Sequence, residues 1–325
     1  MISSTPDRYT LLADIGGTNT RVALAEAGRL LPETIRRYAN AGRPALEPIL
    51  VDYMQTEGVS DLAGACVAAA GPVRDGVAHM TNLSWVIEDH AIANVTKAET
   101  VAVLNDLQAQ GHALGYLAPD AVRGLLPGAE ARPGSSQLVI GVGTGFNAAP
   151  VHEGPGGRIV AASECGHITL PTVSDEDIAL MRFVEEVHGF AAVEDVLSGR
   201  GLERVHAFVT TRAGAPERRA AADVMAEITA RTAAGRETAR IFVRHLGAVA
   251  GDLALTHLPF GGIHLCGGVA RAFTPLFAEF GFAEAFCAKG RFGDFLRAFP
   301  VSVIEDDYAA LVGCAAYIHA RAPQL

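Results

Sequence analysis

A short apolar run, a turn of glycine and threonine, and a second apolar run occur twice in this chain, about two-fifths of its length apart. The first copy is Tyr9-Thr10-Leu11-Leu12-Ala13-Asp14-Ile15, then Gly16-Gly17-Thr18-Asn19, then Arg21-Val22-Ala23-Leu24-Ala25. The second is Gln137-Leu138-Val139-Ile140, then Gly141-Val142-Gly143-Thr144-Gly145, then residues 146–151. Apolar runs joined by a glycine turn predict β-hairpins. Further apolar runs at 64–70 and 101–104 predict buried strands, and the segments between carry helical periodicity, so the expected class is α/β. At 325 residues the chain exceeds what one core usually serves, which predicts two domains around a shared cleft.

The stretch 175–255 is dominated by Ala, Glu, Arg and Leu at helical spacing, with Glu176-Asp177 and Glu185-Glu186 expected on exposed faces. Residues 212–219 read as a surface loop and 124–134, rich in Pro and Gly, as a connector. A strand at 301–304 precedes a helix at 309–319.

Half of the residues are hydrophobic and 19% are charged, a balance that suits large cores and excludes disorder. No apolar run reaches the roughly 18 residues of a membrane span, and Met1–Thr10 lacks the pattern of a signal peptide, so a cytosolic location is expected. The five cysteines, Cys66, Cys165, Cys266, Cys287 and Cys314, are widely spaced, which predicts reduced and mostly buried thiols. A net charge of −10 opposes broad attraction to nucleic acid or to a membrane surface. Any phosphorylated ligand must then find its positive potential in backbone amides and a metal, which directs attention to the glycine turns.

In Asp14-Ile15-Gly16-Gly17-Thr18-Asn19 an acid ends a strand, and two glycines permit a turn tight enough for backbone N–H groups to face a phosphate. Thr18 and Asn19 add short donors, and the acid can hold Mg²⁺ through water, the metal offsetting phosphate charge. A glycine pair alone reads as a plain hairpin turn; the acid, the two glycines, Thr18 and Asn19 together at this spacing favour the phosphate reading. Gly143-Thr144-Gly145 is a second turn of this kind, and the two together can grip one polyphosphate. A third glycine site, Gly267-Gly268, follows the apolar run 263–266 at a helix start. It allows either close approach of a nucleotide base or ribose, or simple packing of strand on helix.

The fragments Asp14-Ile15-Gly16-Gly17-Thr18-Asn19, Leu104-Asn105-Asp106, Gly143-Thr144-Gly145, Glu164-Cys165-Gly166-His167, Glu194-Asp195-Val196-Leu197-Ser198-Gly199 and Cys266-Gly267-Gly268 stand in the order and spacing of bacterial glucokinases, which the chain resembles over essentially its whole length. Met80-Thr81-Asn82 and Lys289-Gly290-Arg291-Phe292 extend the match. The resemblance implies a two-domain actin-like ATPase (ribonuclease H-like) fold with an interdomain cleft. Residues 1–116 with 306–325 would form a smaller α/β domain, and 117–305 a larger α+β domain. It implies ATP and Mg²⁺ as cofactors and glucose as the phosphoryl acceptor. Asp106 matches the catalytic base for the sugar 6-hydroxyl. Asn105, Glu164, His167 and Glu194, with Asp106, match the groups that bind the sugar hydroxyls, a set whose donors and acceptors complement vicinal alcohols. Read singly, His167 suits a core histidine, Glu194 a helix-surface charge and Glu164 a loop carboxylate. The resemblance also leans towards a homodimer.

A sister group of sugar kinases follows its ExGH element with a zinc-binding cysteine cluster. Here Ile168-Thr169-Leu170-Pro171 follows, which places the resemblance in the zinc-free branch. Three departures from the glucokinase pattern stand out: Phe146-Asn147-Ala148-Ala149-Pro150 after the second turn, Cys165 where glycine is usual, and Asp307-Tyr308-Ala309-Ala310 where the family tends towards Asn-Pro-Gly. None removes a catalytic group. A kinase for mannose, fructose or glucosamine, and a non-catalytic sugar-responsive regulator of the same fold, are the alternatives; the retained Asp106 speaks against the second.

Overall fold

The computed structural model describes residues 9–60 and 62–321, and its chain divides into two compact units. The first takes in the described residues up to Pro119, together with Pro155–Ala162 and those from Asp306 onward. The second takes in Asp120–Gly154 and Ser163–Glu305.

In the first unit the sheet order is Arg29–Leu30, Asn19–Glu26, Tyr9–Ile15, Leu62–Ala69, Thr100–Asn105, with Arg36–Ala39 also paired to the Asn19 strand. The Tyr9 and Asn19 strands make the antiparallel hairpin, and the Leu62 and Thr100 strands continue parallel to the Tyr9 strand. Successive side chains leave a strand on opposite faces. Both faces are covered here, which is why the runs are apolar without alternation. Leu11, Ala13 and Ile15 share a core with Ile49, Leu50 and Tyr53 of the helix Glu47–Glu57. Leu12, Cys66 and Leu104 share another with Leu311, Cys314 and Ile318 of the helix Ala309–His319. Each large aliphatic side chain so buried contributes about 1.5–3 kcal/mol.

The second unit repeats the same plan. Its strand order is Val122–Leu126, Val301–Ile304, Ile263–Cys266, Gln137–Val142, Phe146–Gly154. The Gln137 and Phe146 strands form the antiparallel hairpin, and the Ile263 and Val301 strands run parallel to the Gln137 strand. The sequence repeat is thus a repeat of topology: a hairpin whose first strand is extended by two parallel strands. The 124–134 segment, expected to be a connector, instead begins inside the Val122–Leu126 strand, which pairs antiparallel with the Val301 strand.

Against this sheet lies the helical stretch, comprising Asp175–His188, Gly199–Arg212, Ala221–Thr229 and Ala233–His257. Leu138, Ile140 and Val142 join Val205, Phe208, Phe242, Leu246 and Phe273 in its core. Asp177 is not on an exposed face; it is 2% exposed. Ser174 caps this helix by accepting from Asp177 N, and the Asp177 carboxylate reaches back to Val173 N at 3.0 Å and pairs with Arg244. A carboxylate that accepts from the backbone just ahead of a helix and pairs with a guanidinium is held inside rather than solvated.

Among the described residues, no helix is long and apolar enough to cross a membrane. Cys66, Cys266 and Cys314 are buried, and Cys165 and Cys287 are partly so.

Candidate active site

The sheet register of the first unit fixes where its chemistry lies. Ile15 pairs with Ala69 and Ala69 with Asn105, so the Asp14–Asn19 turn and the Asn105-Asp106 pair emerge at the same strand ends, two strands or about 10 Å apart. Ligand sites of open parallel sheets favour this carboxyl edge.

The turn is braced from within. Gly16 N donates to Asn19 O at 3.0 Å. Asn40, 24 residues on, donates from Nδ2 to Gly16 O at 2.8 Å and from its backbone N to Thr18 O at 2.9 Å, while its Oδ1 accepts from Thr20 Oγ1 at 2.8 Å. The side chain of Asn82 lies beside Gly17. Ile15 is fully buried, so only its backbone is available to a nucleotide, whereas Thr18 is exposed. Asp14 faces its cross-strand partner Arg21, whose Nη1 donates to Asp14 Oδ2 at 2.9 Å. Burial raises the Asp14 pKa above the ordinary aspartate value, and the Arg21 guanidinium opposes that rise.

Asn105 ends the Thr100–Asn105 strand and caps the helix Asp106–Ala113. Its Oδ1 accepts from Leu107 N at 3.0 Å, and Gln108 Oε1 accepts from Asn105 N at 3.1 Å. Its Nδ2 donates to Gly71 O at 3.0 Å. Asn105 is therefore first a positioning group for the residue that follows it, with the second N–H of its amide remaining for a ligand. Asp106 stands half-buried at the first helical position, where the helix dipole favours a carboxylate.

In the second unit, Gly143-Thr144-Gly145 closes the other hairpin, with Gly143 N donating to Gly145 O at 2.9 Å. Thr144 is exposed. Glu194 lies directly beneath this turn: its Oε2 accepts from Phe146 N at 2.9 Å, and a Cβ at Gly145 would come within 2.5 Å of the same oxygen. The 3₁₀ turn Cys165–His167 is clamped between Phe146 and Glu194. Glu194 N donates to Gly166 O at 2.8 Å, and a Cβ at Gly166 would collide with the Phe146 carbonyl, so this position requires glycine.

Glu164, His167 and Glu194 thus gather at one place. Burial raises the Glu164 pKa, His167 opposes the rise and Glu194 adds to it. Arg200 reaches Glu194 Oε1 at 3.9 Å.

Gly267 has φ +97°, and a Cβ there would strike the Val142 carbonyl. The close contact at Gly267 is with the Gln137–Val142 strand, so it packs strand end on strand, rather than the strand on helix that the sequence allows. At Gly268 a Cβ would meet nothing within 4 Å, so the backbone stays open at the start of the helix Gly268–Phe273.

Sequence patterns do not single out Asn40, Arg21 or Arg200. Asn40 leaves no signal there, because its partners lie in a turn it does not adjoin. Arg21 becomes visible as the residue opposite Asp14 once the hairpin is set in register.

Two sheets of repeated topology, each carrying a glycine turn, with a carboxylate at the strand edge of one and a carboxylate–histidine cluster in the other, define a sugar kinase of the actin-like ATPase fold. The glucokinase family model matches residues 11–321, and the chain belongs to that family. It is 33% identical over 317 residues to the glucokinase of Marinobacter nauticus, covering 96% of this chain and 97% of that one. The crystal structure of glucokinase from an Antarctic psychrotroph superposes with a TM-score of 0.83 at 30% identity, covering 96% of this chain and 98% of the other. The fold extends to a ROK family glucokinase from Streptomyces griseus, solved with glucose and AMPPNP, at a TM-score of 0.64 and 20% identity over 95% of this chain and 98% of that one.

Proposed function

We propose that this chain transfers the γ-phosphoryl group of ATP to the 6-hydroxyl of glucose, with Asp106 as the base. The observation that carries the reading is the register of the first unit, which sets Asp106 and the Asp14–Asn19 turn on one sheet edge. Phosphoryl transfer passes through a loose transition state, so placing the hydroxyl and neutralising charge matter more than base strength. Asp106 aligns the 6-hydroxyl and accepts its proton as the bond to phosphorus forms. Glu164, His167, Glu194 and the remaining N–H of Asn105 take the other hydroxyls. The backbone N–H groups of Gly16, Gly17, Thr18, Asn19, Gly143, Thr144 and Gly145, with the open backbone at Gly268, take the nucleotide.

The Asp14 carboxylate fits a Mg²⁺ held through water. Arg21 occupies Oδ2 and leaves Oδ1 as the oxygen that would meet a metal-bound water, the usual mode for a cation that keeps much of its hydration shell. Bound there with ATP, Mg²⁺ would offset the phosphate charge that a chain of net charge −10 otherwise repels. The reading includes a cytoplasmic enzyme that acts as a homodimer.

The test is Asp106→Ala in a coupled assay of ADP release with glucose, ATP and Mg²⁺. The expected loss in kcat is about 10²–10⁴-fold, with glucose binding by calorimetry kept within a few-fold. Unchanged turnover would remove Asp106 from the mechanism.

A further inference from the structure

Two of the departures from the usual glucokinase pattern, the Phe146–Pro150 segment and Cys165, form one structural feature. Asn147, opposite Gly141 in the hairpin, sends its side chain along the strand into the segment that carries Glu164. Its Oδ1 accepts from Ala148 N at 2.8 Å and from Cys165 N at 3.2 Å, and the Cys165 thiol lies 3.6 Å from the same oxygen. Its Nδ2 donates to Ser163 O. Ser163 Oγ in turn lies 2.7 Å from Ala148 O and 3.1 Å from Asn147 Oδ1.

The amide orientation is forced, since reversing it would set an NH₂ group against two backbone N–H donors. Burial raises the Cys165 pKa, so the thiol keeps its proton and serves as a donor. One side chain therefore ties down the residues on both sides of Glu164.

Glu164 itself is exposed over much of its surface, although its carboxyl is partly desolvated. A carboxylate in that position contributes to ligand binding only as far as its backbone is already fixed; otherwise binding must also order the segment. We propose that Asn147 is a positioning residue that fixes Glu164 for the sugar and thereby sets sugar affinity. The proposal rests on Glu164 as a sugar ligand. A purely structural role would lower Tm and leave the balance of kinetic constants unmoved, so the readout is the split between the two KM values and kcat.

Asn147→Gly and Asn147→Asp are compared with the wild type and with Glu164→Gln, varying glucose and ATP separately and recording Tm for each. Asn147→Gly loses every side-chain contact, and its glucose KM is expected to rise about tenfold, the ATP KM and kcat staying within about twofold. Asn147→Asp keeps the acceptor for Ala148 N and Cys165 N but loses the donor to Ser163 O, and about a threefold rise is expected. If Asn147→Gly fails to fold, Asn147→Asp decides. A raised glucose KM in Glu164→Gln with none in either Asn147 variant overturns the proposal alone. No effect in Glu164→Gln overturns the assignment of Glu164 and the proposal with it.

Discussion

The two glycine turns sit at matching places in sheets of the same topology, yet they are braced by different kinds of residue. In the first unit, Asn40 holds the turn through neutral hydrogen bonds to Gly16 O, Thr18 O and Thr20 Oγ1, and no proposed ligand contact falls on it. In the second, the brace is Glu194, a charged group that the proposed function also assigns to the sugar. A turn held by a dedicated neutral residue can be altered without touching the sugar. A turn held by a sugar ligand cannot, so on the proposed function the second unit would link phosphate and sugar sites through a single carboxylate.

The largest expected effect follows from that double role. Glu194→Ala removes both the acceptor for Phe146 N and a hydroxyl partner, and kcat/KM for glucose should fall about a hundredfold, with KM rising for ATP as well as glucose. Glu194→Gln keeps an oxygen for Phe146 N while losing the charge. Its loss should be about tenfold and confined to glucose. If the two variants matched in both constants, the bond to Phe146 N would carry no weight and the comparison would break.

Asn40→Ala tests the other side. It leaves the Asn40 backbone bond to Thr18 O in place but strands the part-buried Gly16 O and the fully buried Thr20 Oγ1, which costs about 2 kcal/mol. Steady-state kinetics should show ATP KM raised about fivefold with glucose KM unchanged, and calorimetry a Tm lower by about 5 °C. A change in glucose KM as large as that in ATP KM would mean that the first turn is no more separable than the second.

How these regions could be read from sequence differs for the same physical reason. The hairpins, the parallel strands and the strand-to-helix boundary at Asn105-Asp106 depend on neighbours in the chain, and periodicity and glycine placement carry that information. The grouping of Glu164, His167 and Glu194 depends on backbone pairing of Gly166 with Glu194 across 28 residues, which no local pattern encodes, and resemblance alone supplies it. Asn40 lies in Ala39-Asn40-Ala41-Gly42, which reads as an ordinary turn, and its partners become visible only when the Arg36–Ala39 strand is placed beside the Asn19 strand. Helical periodicity points Asp177 to solvent although Ser174-Asp175-Glu176-Asp177 has the spacing of a capping box; periodicity reports the face of a helix and is blind to its cap. Asn147 and Cys165 are each visible as departures, and only the fold shows that they touch.

The smallest effect is in pH dependence, and its sign separates the units. If Glu164 binds the sugar as proposed, its ionised form accepts from the hydroxyls, so glucose KM should rise as pH falls through its pKa, which burial, with Glu194 adding, holds above the ordinary value of 4.5. Removing the Glu194 charge by Glu194→Gln takes away a like-charge neighbour, lowers the Glu164 pKa, and moves this acid limb to lower pH. Asp14 has a cation beside it instead: Arg21→Met takes away an influence that lowers its pKa, so the acid limb of ATP KM should move to higher pH. Each displacement should be about twofold in KM over the acid limb. Limbs that moved in the same direction would show that the two carboxylates do not answer to the neighbours the structure gives them.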